Sequence, residues 1–235
     1  KDILKAANRL LSEDEKQEVF SGDFATARRF FDEMTAAGER AVSEQDRLIY
    51  SLCRPERLLD LVRRFTVFDG GIRKVARHQQ YFGIRKAVER VKQYELDGRR
   101  KGGVIWHTQG AGKSLTMVML GRALALDRDI KNPRLIIVTD RDDLDKQIKG
   151  TFKSCEMEPI RAATGANLVE LIERKAPLVT TIINKFDTAM KASSYRDDDA
   201  NLFVLVDESH RSQTGRYGGH GTLAMKMRRI LPHAC

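Results

Sequence analysis

Two short stretches of this chain carry side chains that could do chemistry together. Gly102 to Met119 reads GGVIWHTQGAGKSLTMVM, and Leu202 to His210 reads LFVLVDESH. In the first, Gly110 and Gly112 let the backbone approach an anion with no side chain in the way. Lys113 can reach outer phosphates, and the Ser114 hydroxyl can ligate Mg²⁺. A strand, a glycine turn and a helix make a place for phosphate, because a helix start offers unpaired N–H groups and the positive end of its dipole. The strict pattern G-x-x-x-x-G-K-[ST] has glycine where this chain has His107. That departure touches the exit from the strand, not the residues that meet phosphate. Nucleotide binding is the expectation; the competing one is a glycine turn with an exposed lysine.

The second stretch supplies two carboxylates at the end of an apolar run. Asp207 would position Mg²⁺, commonly through a water, and Glu208 would accept a proton from the attacking water. A water-activating carboxylate separates a hydrolase from a kinase or a passive nucleotide holder. Ligands bind at the open end of a parallel sheet, so the residues after Val206 should lie beside the loop after Trp106. As an isolated pair, the two acids would more simply cap the next helix. Beside a phosphate loop, the hydrolytic reading prevails.

The elements that must position these groups follow from the apolar pattern. Short runs at Val104–Ile105–Trp106, Leu135 to Thr139, Leu178 to Ile183 and Leu202 to Val206 read as strands buried on both faces. Helical patterns lie between them at Lys113 to Leu126, Asp142 to Phe152 and Asn167 to Arg174, and a further helix runs from about Gln79 to Tyr94. Alternation of this kind predicts an α/β fold with a parallel sheet and helical crossovers. The polar string KASSYRDDDAN before the last strand reads as an exposed loop.

Residues 1–69 read as helical throughout, with the DGG at Asp69 to Gly71 as punctuation before a domain at 70–235. Ser12 followed by Glu15 is a capping-box pattern. Phe24, Ala27, Phe31 and Met34 recur at helical spacing, as do Leu58, Leu59, Val62 and Phe65 after Pro55; both stripes read as core faces.

Composition narrows the classes. Hydrophobic residues make up 41% and charged residues 32%, as in a soluble globular protein, and 235 residues suffice for a large domain core. The longest apolar run, Leu202 to Val206, is far short of a membrane span, and the amino terminus has no signal-peptide core. Cys53, Cys155 and Cys235 are scattered, which suits a reduced, cytosolic compartment better than a disulfide framework. The five histidines include no pair at ligand spacing on one helix, and no G-x-S-x-G elbow is present. A net charge of +9 suits a polyanion such as a nucleic-acid backbone.

GAGKS together with DESH resembles motifs I and II of superfamily 2 helicases and translocases, and ARHQQYF resembles their Q motif. That resemblance implies ATP as the nucleotide, with Gln80 at the adenine and Arg77 on the motif's arginine. The match is closer to the motor (R, or HsdR) subunit of type I restriction endonucleases, on RHQQYFGIRKAVERV, GGVIWHTQGAGKSLTM, LIIVTDRDDLDKQ, TTIINKF and VDESHRSQTGRYG. There His107 is a family mark, while Ser209 stands where motif II usually has alanine. The resemblance spans about Leu58 to Cys235.

It implies the first RecA-like lobe of an ATP-driven motor that translocates along double-stranded DNA, in the cytoplasm of a bacterium or archaeon. Thr108, Gln109, Gly110, Ala111, Gly112, Lys113 and Ser114 would bind triphosphate and metal. Asp207 and Glu208 would do the metal and water work, and His210 would couple the site to the rest of the motor. Thr139, Asp140 and Arg141, then Thr181, Asn184 and Lys185, fall on motifs that contact a DNA backbone; helix capping and turn chemistry are the competing roles. Methyltransferase (M) and specificity (S) subunits would complete the complex. The family's nuclease constellation, Asp…Glu-x-Lys, does not appear, and its third motif and second lobe would follow RRILPHAC. The same motifs also admit a stand-alone superfamily 2 helicase or remodeller. A third reading is an assembly module in which ATP only fixes a conformation.

Overall fold

Polar caps open two helices of the amino-terminal region. The Glu15 amide donates to Ser12 Oγ at 3.3 Å and the Ser12 amide to the Glu15 carboxylate at 2.9 Å, closing the expected capping box. A second box joins Ser43 and Asp46. The computed structural model describes residues 1–108, 110–192, 195–207 and 223–235 and divides into two units, Lys1–Leu59 and Asp60–Cys235.

The first unit holds α1 (Asp2–Ala7), α2 (Glu13–Val19), α3 (Ala27–Ala36), α4 (Glu44–Leu52) and the start of α5 (Pro55–Arg64). Phe20 and Phe31 meet with ring centroids 5.2 Å apart. Among the described residues of α1 to α4 none is buried, and Phe24 and Met34 stand exposed. The stripe through them is therefore not a core face within this unit. The inward positions are Leu61 on α5 and Phe65 just past its end, one turn apart, whereas Leu58, Leu59 and Val62 are exposed. The spacing was right for a helix and Phe65 is buried as read, but the stripe's other members face outward and Leu61 takes their place in the core.

In the second unit, β1 (Thr66–Asp69) and β2 (Ile72–Val75) form an antiparallel hairpin. Its turn is Gly70–Gly71, with φ of +58° and +82°, a conformation that glycine adopts without steric cost. The Asp69–Gly71 punctuation is thus a hairpin turn.

The main sheet has four parallel strands in the order β4 (Ile160–Arg161), β5 (Leu178–Ile182), β3 (Arg134–Thr139), β6 (Leu202–Val206). Helices α6 (His78–Val91), α7 (Lys113–Ala125), α8 (Asp142–Ser154), α9 (Gly165–Glu173), α10 (Ile183–Ala192) and α11 (Leu223–Ile230) accompany it. Successive strand residues face opposite sides. Ile136, Val138 and Val179 join the cluster that includes Leu168, Ile172 and Ile230, from α9 and α11. On the other side Leu135 lies against Gly121 of α7. Both faces are covered, which is why β3 reads as an unbroken Leu-Ile-Ile-Val run. This is the α/β architecture of a RecA-like lobe.

At the opposite edge from the strand exits, a buried cation holds the sheet. The Arg134 guanidinium donates to Asp197 at 2.6 Å, to Asp199 at 3.0 Å and to the Ile172 carbonyl at 3.2 Å. Asp197 is buried, so the YRDDDAN string is not simply an exposed loop. Its acids answer an arginine that the strand places beneath them.

One expected strand does not form. Residues 101–108 have no regular secondary structure, and Val104 and Trp106 are 78% and 86% exposed. A strand needs a neighbour to pair with. The outer edge of β6 bonds to Cys235 instead, through Val204 N–H to Cys235 C=O at 2.8 Å and Cys235 N–H to Leu202 C=O at 2.9 Å. Among the described residues, no helix is long and apolar enough to cross a membrane.

Candidate nucleotide site

The turn before α7 has the backbone that its glycines permit. Gly110 and Gly112 have φ of +77° and +82°, in the left-handed region that side chains rarely adopt. Nothing lies within 4 Å of where a Cβ on Gly110 would be, so the space above it is open. Ala111 N–H donates to the Thr108 carbonyl at 3.2 Å, tightening the turn. Gly112 caps α7 with no side-chain cap hydrogen bond, and a helix start of this kind is a place for an anion. Lys113 and Ser114 are the first two residues of that helix, both partly buried. Gln109 lies outside the described residues.

Connectivity brings this turn to the sheet edge where the strands exit. Gly121 lies against Leu135: a Cβ built on it would sit 3.0 Å from Leu135 Cδ2. Lys113 is eight residues earlier, about 12 Å back along a helix that rises 1.5 Å per residue. Thr139 is four residues beyond Leu135, about 13 Å along a strand at 3.3 Å per residue. Helices of a parallel α/β sheet run antiparallel to its strands, so both climbs are expected to lead toward the strand exits. Asp207 follows β6 there, its amide donating to the Val138 carbonyl at 2.9 Å.

A cavity of about 740 Å³ lies beside the turn, with His107, Thr108 and Ala111 on one wall and Phe203, Val204 and Leu205 on another; Lys113, Ser114 and Asp207 are not among its lining residues. Helix α6 closes it with Gln79, Lys86 and Arg90. His107 Nε2 is buried with no hydrogen-bond partner among the described residues, a polar atom at this wall still to be satisfied. Ser114 and Asp207 offer oxygen donors, the hard ligands that suit Mg²⁺, so the side chains present fit that ion. Glu208 and His210 lie outside the described residues.

The other candidate residues fall into two sets. Arg77 is exposed at the N-cap of α6, and Gln80 is buried, its Nε2 donating to Thr116 Oγ1 at 3.1 Å. Thr139 and Thr181 are fully buried inside the sheet, with Thr139 Oγ1 donating to the Arg141 carbonyl at 3.2 Å. The Lys185 ammonium donates to the Ala162 carbonyl at 2.6 Å. Arg141 and Asn184 are exposed, and Asp140 is half-buried with a partner. Thr116 escaped the sequence reading, since a threonine inside an apolar helix carries no signal of its own.

Comparison with known proteins agrees with this fold. The type I restriction enzyme HindI endonuclease subunit of Haemophilus influenzae is 33% identical over 204 residues, covering 81% of this chain and 18% of that protein. The SsaAORF53P type I restriction enzyme endonuclease subunit of Staphylococcus saprophyticus is 34% identical over 120 residues, 48% of this chain and 12% of that protein. The SauMSSORF170P type I restriction enzyme endonuclease subunit of Staphylococcus aureus is 26% identical over 172 residues, 70% of this chain and 18% of that protein. This chain thus spans between 12% and 18% of the length of these relatives. The SWI2/SNF2 ATPase family model matches residues 79–235, which take in the glycine turn, the whole parallel sheet and the acids after β6. The chain belongs to the SWI2/SNF2 ATPase family.

Proposed function

We propose that this chain is the ATP-binding lobe of a DNA-translocating motor in a type I restriction endonuclease. The observation that carries the reading is the left-handed Gly110–Gly112 turn opening α7, in a lobe whose parallel sheet carries Asp207 just past the end of β6. The 33% identity to a restriction endonuclease subunit favours this motor over a stand-alone helicase or remodeller.

In this reading the amides of Gly110 to Ser114 cup the triphosphate, and the Lys113 ammonium draws its outer oxygens into place. The Ser114 hydroxyl and the Asp207 carboxylate hold Mg²⁺, which when bound neutralises charge on the β- and γ-phosphate oxygens. Glu208 takes the proton of the attacking water, and His210 passes the state of the site to the rest of the motor. Double-stranded DNA is the polyanion matched by the positive excess, which lies entirely in Asp60–Cys235; Lys1–Leu59 has more acids than bases. Methyltransferase and specificity subunits are the partners, and the cytoplasm of a bacterium or archaeon is the setting.

The test is ATP turnover with and without duplex DNA, on this chain and on the full-length protein. We expect Mg²⁺-dependent ATP binding by the chain with slow turnover, since an arginine from another lobe can be worth about 10³–10⁵ in rate. The full-length protein should turn over ATP in response to DNA. Failure of both to bind ATP would overturn the proposal, and ATP-dependent assembly without DNA-stimulated turnover would favour the module that only changes conformation.

A further inference from the structure

The start of α8 sets charges against each other. Arg141, its N-cap, is exposed and belongs to the DNA-contact candidates. The first turn behind it carries three acids, Asp142, Asp143 and Asp145. A carboxylate close to a DNA phosphate repels it, and more strongly where the surroundings are less polarisable than water.

Strand β4 answers two of these acids. Its residues pair with Val179 and Thr180 of β5, which puts Arg161 on the edge strand of the sheet. From there the Arg161 guanidinium spans the turn, with Nε donating to Asp145 and a terminal nitrogen to Asp142. The Asp145 side chain is fully buried, and its second oxygen has no partner among the described residues, so Arg161 is what holds its charge. Lys146 reaches the other oxygen of Asp142 at 3.0 Å. The Lys146 ammonium, and then Arg161, hold the Asp142 carboxyl below its usual range, so this acid is charged at neutral pH. The Arg161 side chain is only 28% exposed, and two of its three nitrogens are spent on carboxylates. It is poorly placed to meet a phosphate itself.

We infer that Arg161 is a positioning residue for DNA: it covers the acids in the first turn of α8, so that a phosphate can approach Arg141 without meeting their charge. This rests on the DNA reading proposed above and extends it to a residue outside both stretches where contact was expected. The cover acts through charge. Removing it turns bare carboxylates toward the duplex, and removing the carboxylate as well reopens the approach.

The experiment uses the full-length protein and a fluorescent duplex, with anisotropy read at several salt concentrations. The variants are Arg161→Gln, Asp142→Asn, the two combined, Lys146→Gln and Arg141→Ala. Arg161→Gln should weaken duplex binding about tenfold at low salt, and the deficit should shrink as salt screens the acids. Lys146→Gln, which uncovers Asp142 alone and at the surface, should cost about threefold. Adding Asp142→Asn to Arg161→Gln should recover most of the loss, while ATP affinity stays at the wild-type value throughout. A loss that Asp142→Asn does not recover would mean that Arg161 touches DNA itself or only supports the fold, and would overturn the cover. Wild-type binding in Arg161→Gln beside weak binding in Arg141→Ala would also overturn it, and would leave the DNA reading standing. Should Arg161→Gln fail to fold because it strands Asp145, Arg161→Gln with Asp145→Asn is compared with Asp145→Asn alone. If the wild type does not bind the duplex, the DNA reading falls and the cover with it.

Discussion

The Asp207 amide donates to the carbonyl of Val138 at 2.9 Å, so the ladder between β3 and β6 continues one step past the last strand residue. That bond belongs to the backbone, so exchanging the carboxylate for an amide leaves it in place.

Asp207→Asn should leave the melting temperature of the full-length protein near wild type while removing Mg²⁺-dependent ATP turnover. Lys113→Ala should do the same by withdrawing a cation from the outer phosphates. Loss of one such electrostatic group costs about 10²–10³ in rate at preorganised sites, which a coupled phosphate-release assay resolves easily.

Arg134 and Asp197 are the opposite case, since both are buried and each satisfies the other. Arg134→Met strands a carboxylate in the interior and should cost about 3–5 kcal/mol in denaturant unfolding. Arg134→Met with Asp197→Asn should recover part of that loss, because the remaining buried group is then neutral.

Gly165 opens α9 where that helix meets α10. A Cβ there would sit 2.6 Å from the Ala189 amide nitrogen and 2.9 Å from the Lys185 carbonyl oxygen. These are backbone atoms that cannot swing aside. Gly165→Ala should destabilise by about 1–3 kcal/mol through overpacking, measured by thermal and urea unfolding.

The Arg40 guanidinium, with help from Ser43, holds the Asp46 carboxyl well below the usual carboxylate range. A depressed acid stabilises the fold fully above its unfolded pKa of about 4, and that contribution fades as pH falls further. Hydrogen exchange in α4 should therefore rise below about pH 4 in the wild type. Asp46→Asn should exchange faster at neutral pH and lose most of that acid dependence.

Arg141 and Asn184 are the exposed members of the DNA-contact set. If Arg141 meets a phosphate, Arg141→Ala should weaken duplex binding alike across sequences and lower the salt slope by about one. Fluorescence anisotropy at several salt concentrations measures both. A change confined to one sequence would point to base contact instead.

What could be read in advance depended on how much of an element's context is local. β3, β5 and β6 were legible as apolar runs because helices cover both their faces. β4 has two residues, Ile160 and Arg161, and no run of that length stands out. The β1–β2 hairpin escaped because its exposed Phe68, Ile72 and Val75 leave no one-sided alternation, and only its glycine turn was noticed. Val104–Trp106 misled because apolar content states a preference for pairing without supplying the neighbour. The glycine turn was legible from spacing alone, since a left-handed backbone is written into residue type. The contact behind it was not: Gln80 meets Thr116 only after α6 and α7 pack together.

Trp106 is the single tryptophan of the chain, and it stands in solvent two residues ahead of the glycine turn. Indole emission shifts to shorter wavelength when water is taken away from the ring. The molecule thus carries its own optical gauge beside the turn, silent about the rest of the fold, and a titration needs no dye to see whether anything comes to rest against it.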